Sequence, residues 1–148
     1  MPELTIVVPT LDERQNLAPL MASLESVLGG IDFEVLFVDD DSPDGTSDLA
    51  RQMAQHDRRV RVLQRIGRRG LSSAVVEGIL ASSSPYLAVM DSDLQHDEKI
   101  LPDLLARLKQ EKLDLVVATR HREGGSMDRH SGLPRSSLLT SGSLRSRA

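Results

Sequence analysis

Five short apolar runs recur along this chain, each ending in a polar, turn-rich segment: LTIVVP (4–9), FEVLFVD (33–39), VRVLQR (60–65), PYLAVMD (85–91) and LDLVVAT (113–119). Stripes at helical spacing lie between them. The first carries Leu17, Leu20, Met21, Leu24, Val27 and Leu28 and stops at Gly29 and Gly30; a shorter one carries Leu49, Met53 and Ala54. A third carries Leu71, Ala74, Val75, Gly78 and Ile79, and a fourth Ile100, Leu101, Leu104, Leu105 and Leu108. Strand-sized and helix-sized patterns alternating in this way predict an α/β domain with a mostly parallel sheet flanked by helices. The stripes are core and imply no cofactor.

With 148 residues there is room for one domain with a substantial core, and because aromatic residues are only 2% of the chain, that core has to be built from Leu, Val, Ile, Ala and Met. The absence of cysteine excludes disulfides, thiolate metal sites and a cysteine nucleophile. No apolar run is long enough to span a bilayer and MPELTIVVPT lacks the features of a signal peptide, so a cytoplasmic location is expected. The formal charge of −4 hides an asymmetry: from residue 120 onward six arginines face only Glu123 and Asp128, leaving 12 basic and 20 acidic residues in the rest. An acidic body makes nucleic acid a poor partner, whereas the basic tail reads either as a solvated segment or as a contact for an anionic substrate or lipid surface. Hydrophobic periodicity fades after Thr119, and REGGSMDRHSGLPRSS reads as loop.

Ligands of open parallel sheets bind outside the carboxyl ends of the strands, and the informative residues collect there: PTLDE, DDDSPDGT, RIGRRG, DSDLQHDE and TRHREGG follow the five runs in order. All five are expected to converge on one edge. In AVMDSDLQHDE, Asp91 and Asp93 point to the same side of an extended segment. Such a pair is either a solvated strand end or half of a metal site. In VDDDSPDGT, Asp44 suits a helix N-cap, and Asp39 or Asp40 suits hydrogen bonds from a base or sugar. Its opening mimics a calcium loop, but Arg51 stands where a bidentate Glu is required, so that reading is rejected. RIGRRGLSSA sets Arg65, Arg68 and Arg69 around Gly67 and Gly70 ahead of a helix; it reads as a basic surface loop or a phosphate contact, but not as a Walker loop. His96 reads first as a hydrogen-bonded turn residue, with a metal ligand or a base as the alternatives.

Taken together and in order, VVPTLDE, VDDDSPDGT, GRRGLSSA, MDSDLQHDE and ATRHREGG resemble the inverting glycosyltransferases of family 2, and among them the polyprenyl-phosphate hexosyltransferases typified by dolichol-phosphate mannosyltransferase. The resemblance implies a GT-A nucleotide-sugar-binding domain over 1–125, with 126–148 a flexible basic remnant of a longer C-terminal region. It implies that Pro9, Thr10, Glu13, Asp39, Asp40, Arg69 and Gln95 bind the nucleotide sugar, with Asp40 at the base. It further implies that Asp91 and Asp93 hold Mg²⁺ or Mn²⁺ against the donor diphosphate, and that Arg120 approaches donor or acceptor phosphate. The implied reaction moves a hexose from GDP- or UDP-hexose to a polyprenyl phosphate, with peripheral membrane contact. The alternatives are a donor-binding fragment without transferase activity, or a family 2 transferase with another glycan or lipid acceptor. Asp12 and Asp41 stand where many relatives carry Asn, and Asp97 replaces a usual Pro.

Overall fold

The computed structural model describes residues 1–93, 98–119 and 137–140. The first three apolar runs become strands β1 (Leu4–Thr10), β2 (Phe33–Asp39) and β3 (Val60–Gln64), and the fourth becomes a shorter strand, β4 (Tyr86–Val89). They form one parallel sheet in the order β3-β2-β1-β4. Every residue of β2, and all of β1 except Pro9, is buried, as expected where a parallel sheet is covered on both faces. The register sets Thr10 opposite Asp39 and Asp39 opposite Gln64, so three strands finish level with one another. Beyond Val89, the Met90 N–H still donates to the Val7 carbonyl at 3.2 Å.

Three helices follow the sequence pattern. Helix α1 (Leu17–Val27) enters through a 3₁₀ turn at Arg14–Asn16 and buries Leu17, Leu20, Met21 and Leu24. Each fully buried leucine of that stripe contributes about 1.5–3 kcal/mol of transfer free energy. The helix stops where Gly30 takes a φ of 89°, a left-handed conformation that costs glycine little. Helix α2 (Thr46–His56) buries Thr46, Ser47 and Ala50, with Leu49, Met53 and Ala54 half-buried beside them. Helix α3 (Leu71–Leu80) lies on β1 and β2 through Ala74 and Gly78. A Cβ at Gly78 would lie 2.4 Å from Val7 Cγ1 and 3.0 Å from Val38 Cγ2, so the missing side chain is what allows this close approach. Leu71, expected in the core stripe, is instead exposed, because it occupies the first helical position at the rim of the sheet.

A buried polar crossing ties α3 down at its other end. The Thr5 hydroxyl donates to Glu34 Oε1 at 2.8 Å, Arg61 Nη1 donates to the same oxygen at 2.8 Å, and Arg61 Nη2 donates to the Ala81 carbonyl at 3.1 Å. These bonds give the buried Thr5 and Glu34 side chains partners that offset the cost of taking them out of water.

The chain divides into two compact units, Met1–Leu101 and Pro102–Ala148. The four-stranded sheet belongs to the first. At the start of the second, helix α4 (Leu101–Glu111) runs on from a 3₁₀ turn at Glu98–Ile100 and buries Leu101 and Leu105. Here the structure corrects the expectation of five converging strand ends. The fifth run shortens to β5 (Val116–Thr119), which does not join the parallel sheet; it pairs antiparallel with β6 (Ser137–Thr140). β6 lies in a stretch read as aperiodic, because four residues are too few to show a period and their partner is remote in sequence. Among the described residues, no helix is long and apolar enough to cross a membrane.

Candidate functional site

The segments after β1 and β2 are stitched together residue by residue. Thr10, the last residue of β1, donates its hydroxyl to Asp39 Oδ1 at 3.0 Å, and its carbonyl accepts the Asp40 N–H at 3.0 Å. Beyond it, the Asp12 N–H donates to Ser42 Oγ at 2.9 Å, the Glu13 N–H to Thr46 Oγ1 at 3.1 Å, and the Arg14 N–H to Asp44 Oδ2 at 3.2 Å. Asp44 also accepts the Thr46 N–H at 2.9 Å, a turn bond just ahead of α2; the N-cap position expected of Asp44 falls instead on Gly45, whose φ is 83°, and no side chain caps the helix there. The burial penalty on the Asp44 carboxyl, the largest single influence on it, is outweighed by the combined hydrogen bonds from Thr46 and the Arg14 N–H, which hold it below the ordinary carboxylate value. Asp12 and Asp41 both have a φ of 58°. Asn and Asp tolerate that left-handed region best among residues with a side chain.

The two buried carboxylates at the end of β2 have different surroundings. Asp39 is fully buried and accepts four protein donors: the Thr10 hydroxyl, the Ser42 hydroxyl at 2.6 Å, the Ser42 N–H at 3.0 Å and the Ser47 hydroxyl at 2.7 Å. Burial by itself would raise its pKa, but these hydrogen bonds outweigh burial and lower it. Asp40 is 6% exposed; its Oδ1 accepts Arg65 Nη1 at 2.5 Å and its Oδ2 accepts the Gly70 N–H at 2.7 Å. Asp41 turns outward, where Gln64 Nε2 donates to its Oδ1 at 2.6 Å.

After β4 the burial alternates: Asp91 is exposed, Ser92 buried and Asp93 exposed. The two carboxylates are thus presented to solvent while the serine between them turns into the protein. They are hard oxygen donors of the kind Mg²⁺ and Mn²⁺ prefer. Among the described residues no cluster of three or more His, Cys, Asp or Glu side chains could hold a metal ion.

The carboxyl ends of β1, β2 and β4 thus bring Pro9, Thr10, Glu13, Asp39, Asp40, Asp91 and Asp93 to one edge of the sheet. Glu13 is half-buried, with its Oε2 accepting Asn16 Nδ2 at 2.5 Å. Arg69 is exposed in the loop leading to α3. Gln95, His96, Asp97 and Arg120 lie outside the described residues. Two surface depressions elsewhere, about 420 Å³ beside Asp12, Arg14 and Asp44 and about 650 Å³ beside Asp32, Phe33 and Arg59, include none of the strand-end carboxylates Asp39, Asp40, Asp91 and Asp93. The sequence reading gave Ser47 and Thr46 no role and left Arg65 as a surface or phosphate-binding arginine. Its one signal was an arginine placed at the close of an apolar strand.

Comparison with known proteins agrees with this architecture. The chain is 35% identical to a dolichol-phosphate mannosyltransferase from Pyrococcus furiosus over 126 residues, covering 85% of this chain and 35% of that protein. It is also 35% identical to a dolichol-phosphate mannosyltransferase from Mycosarcoma maydis over 147 residues, covering 95% and 49%. The chain therefore spans between a third and a half of the length of these relatives. Among solved structures it resembles a mannosyltransferase from Pyrobaculum calidifontis in complex with GDP-Man and Mn²⁺, with a TM-score of 0.64 at 21% identity, covering 76% of this chain and 34% of that one. It resembles glucosyl-3-phosphoglycerate synthase from Mycobacterium tuberculosis, in complex with Mn²⁺, UDP and glucosyl-3-phosphoglycerate, equally well, with a TM-score of 0.64 at 22% identity, covering 83% and 45%. These likenesses show the GT-A fold. The pattern of glycosyl transferase family 2 matches residues 5–142, nearly the whole chain, and the protein belongs to that family.

Proposed function

We propose that this chain is the donor-binding part of a hexosyltransferase that moves mannose or glucose from a GDP- or UDP-sugar to a polyprenyl phosphate, with inversion at the anomeric carbon. The observation that carries this reading is the presentation of Asp91 and Asp93 beside the stitched ends of β1 and β2, on the edge of the sheet where α/β folds bind ligands. The relatives bearing the dolichol-phosphate mannosyltransferase name support the acceptor class, and the neighbours solved with GDP-Man or UDP and Mn²⁺ support the donor class and the metal.

In this reading Pro9, Thr10 and Glu13 border the nucleotide, Asp40 accepts a hydrogen bond from its base, and Asp39 holds the two loops in place. Asp91 and Asp93 hold Mg²⁺ or Mn²⁺, which when bound neutralises negative charge on the donor diphosphate. Arg69, Gln95 and Arg120 complete the phosphate and sugar contacts. An oxygen of the acceptor phosphate attacks the anomeric carbon as the bond to the nucleotide diphosphate breaks, and the bonding pair leaves with that diphosphate. Because the acceptor phosphate is already ionised at neutral pH, the step needs little general-base help. Positioning and charge stabilisation carry it.

A titration of the chain with GDP- and UDP-sugars, with and without Mn²⁺, tests the donor half. Asp91→Ala and Asp93→Ala are each expected to weaken metal-dependent binding by about 1–3 kcal/mol; unchanged affinity in both variants would remove the central claim. A transfer assay with polyprenyl phosphate separates the transferase from the second reading, a donor-binding unit that transfers no sugar.

A further inference from the structure

Arg65 has the largest fully buried side chain among the described residues, with 1% exposure, although it stands in a loop whose other arginines, Arg68 and Arg69, are exposed. A guanidinium out of water is tolerated only when its donors are matched. Here Nη1 donates to Asp40 Oδ1 at 2.5 Å and to the Gly70 carbonyl at 3.1 Å, Nη2 donates to Ser73 Oγ at 2.5 Å, and Nε donates to Glu77 Oε1 at 3.2 Å. The Gly70 N–H in turn donates to Asp40 Oδ2 at 2.7 Å, which closes a ring of Arg65, Asp40 and Gly70. Gly70 has a φ of 132°, which a residue with a side chain rarely adopts. One side chain therefore joins the end of β2, the turn after β3 and the first two turns of α3.

We infer that Arg65 is a positioning residue for nucleotide selection: it fixes the plane and the charge of the Asp40 carboxylate. The inference rests on the sugar-nucleotide reading above and adds to it a residue that touches no ligand. Each Asp40 oxygen takes one of these donors and keeps a second lone pair for a base. A fixed acceptor discriminates between bases by their donor pattern, whereas a carboxylate free to rotate adapts to several. Lysine keeps the charge but not the planar fork, so it cannot serve Asp40, Gly70, Ser73 and Glu77 together.

The test compares the full chain with Arg65→Lys, Asp40→Asn and the double variant, measuring affinity for GDP- and UDP-sugars in Mn²⁺ and melting temperature in parallel. Arg65→Lys is expected to reduce the ratio of the two affinities about tenfold while the fold-enhancement of binding by Mn²⁺ stays within about threefold, and its effect on the ratio should largely disappear in the Asp40→Asn background. Should Arg65→Lys fail to fold, Ser73→Ala, which removes the Nη2 acceptor and the Ser73 hydroxyl's own bond to the Gly70 carbonyl, should shift the ratio in the same direction by a smaller factor. A purely structural arginine would lower the melting temperature and leave the ratio alone. That result, or a wild-type chain that binds both nucleotides without preference, overturns the positioning role while leaving the sugar-nucleotide reading intact. A wild-type chain that binds no sugar nucleotide overturns that reading, and the positioning role with it.

Discussion

Two strands of the same sheet end in acidic clusters, and their chemistry differs. At the end of β2, Asp39 and Asp40 are buried and hydrogen-bonded to protein donors, four of them at Asp39 alone. At the end of β4, Asp91 and Asp93 face solvent on either side of a buried serine. Both clusters consist of hydrophilic residues closing an apolar run. At the first, Asp39 ties two loops and α2 together while Asp40 is held by Arg65 and Gly70; at the second, both carboxylates are exposed. Surroundings assign the role: a carboxylate surrounded by fixed donors is part of the scaffold, and one presented to water can exchange water for a ligand.

Removing the Asp39 carboxylate should have the largest effect. Asp39→Ala leaves the donors of Thr10, Ser42 and Ser47 without their acceptor, and a loss of about 3–5 kcal/mol is expected in urea unfolding. Asp91→Ala and Asp93→Ala, at exposed positions, should each cost less than Asp39→Ala in the same experiment. Equal losses at the two strand ends would break the comparison.

A second contrast lies in packing. Gly78→Ala puts a methyl group against Val7 and Val38 and should cost about 1–3 kcal/mol, whereas Val76→Ala, on an exposed position of the same helix, should cost less than about 0.5 kcal/mol. Thermal unfolding of both variants checks this.

Acid sharpens the first comparison. The Asp39 pKa is lowered in the folded protein, so its contribution to stability is fully present above the unfolded carboxyl value and is lost as pH falls through the folded value. A pH series of unfolding midpoints should therefore decline below about pH 4, and the decline should be shallower in Asp39→Asn, which has no carboxylate there to protonate. An identical decline in the two proteins would place the acid-sensitive group elsewhere.

The smallest effect is expected at Asp12, whose φ of 58° suits Asn as well as Asp. Asp12→Asn should change the unfolding free energy by less than about 0.5 kcal/mol, while Asp12→Val should cost more, because a β-branched residue resists that conformation. If valine is tolerated equally, this turn is not held in the left-handed region.

Much of this molecule was legible in its residues. The apolar runs at 4, 33 and 60 begin where β1, β2 and β3 begin, and the α1 stripe and its glycine stop were in view, because each is set by neighbours a few positions away. The gathering of polar segments at the strand ends followed from parallel topology for four strands. The fifth strand was misplaced, since pairing with Ser137–Thr140 depends on a partner some 20 residues off and leaves no local trace.

The candidate site was legible as an inventory and not as an arrangement. The sequence by itself determined the order of elements from β1 to α4, the parallel character of the four-stranded sheet and the acidic composition of its carboxyl edge, since periodicity and turn chemistry are local properties of the chain. Only the tertiary structure decided that Asp39 is buried among four protein donors, that Asp40 is held by Arg65 and Gly70, that Asp91 and Asp93 are exposed, and that Gly78 lets α3 settle on Val7 and Val38. Those outcomes depend on which groups from distant positions exclude water from one another, and burial of that kind exists only once the strands and helices have packed.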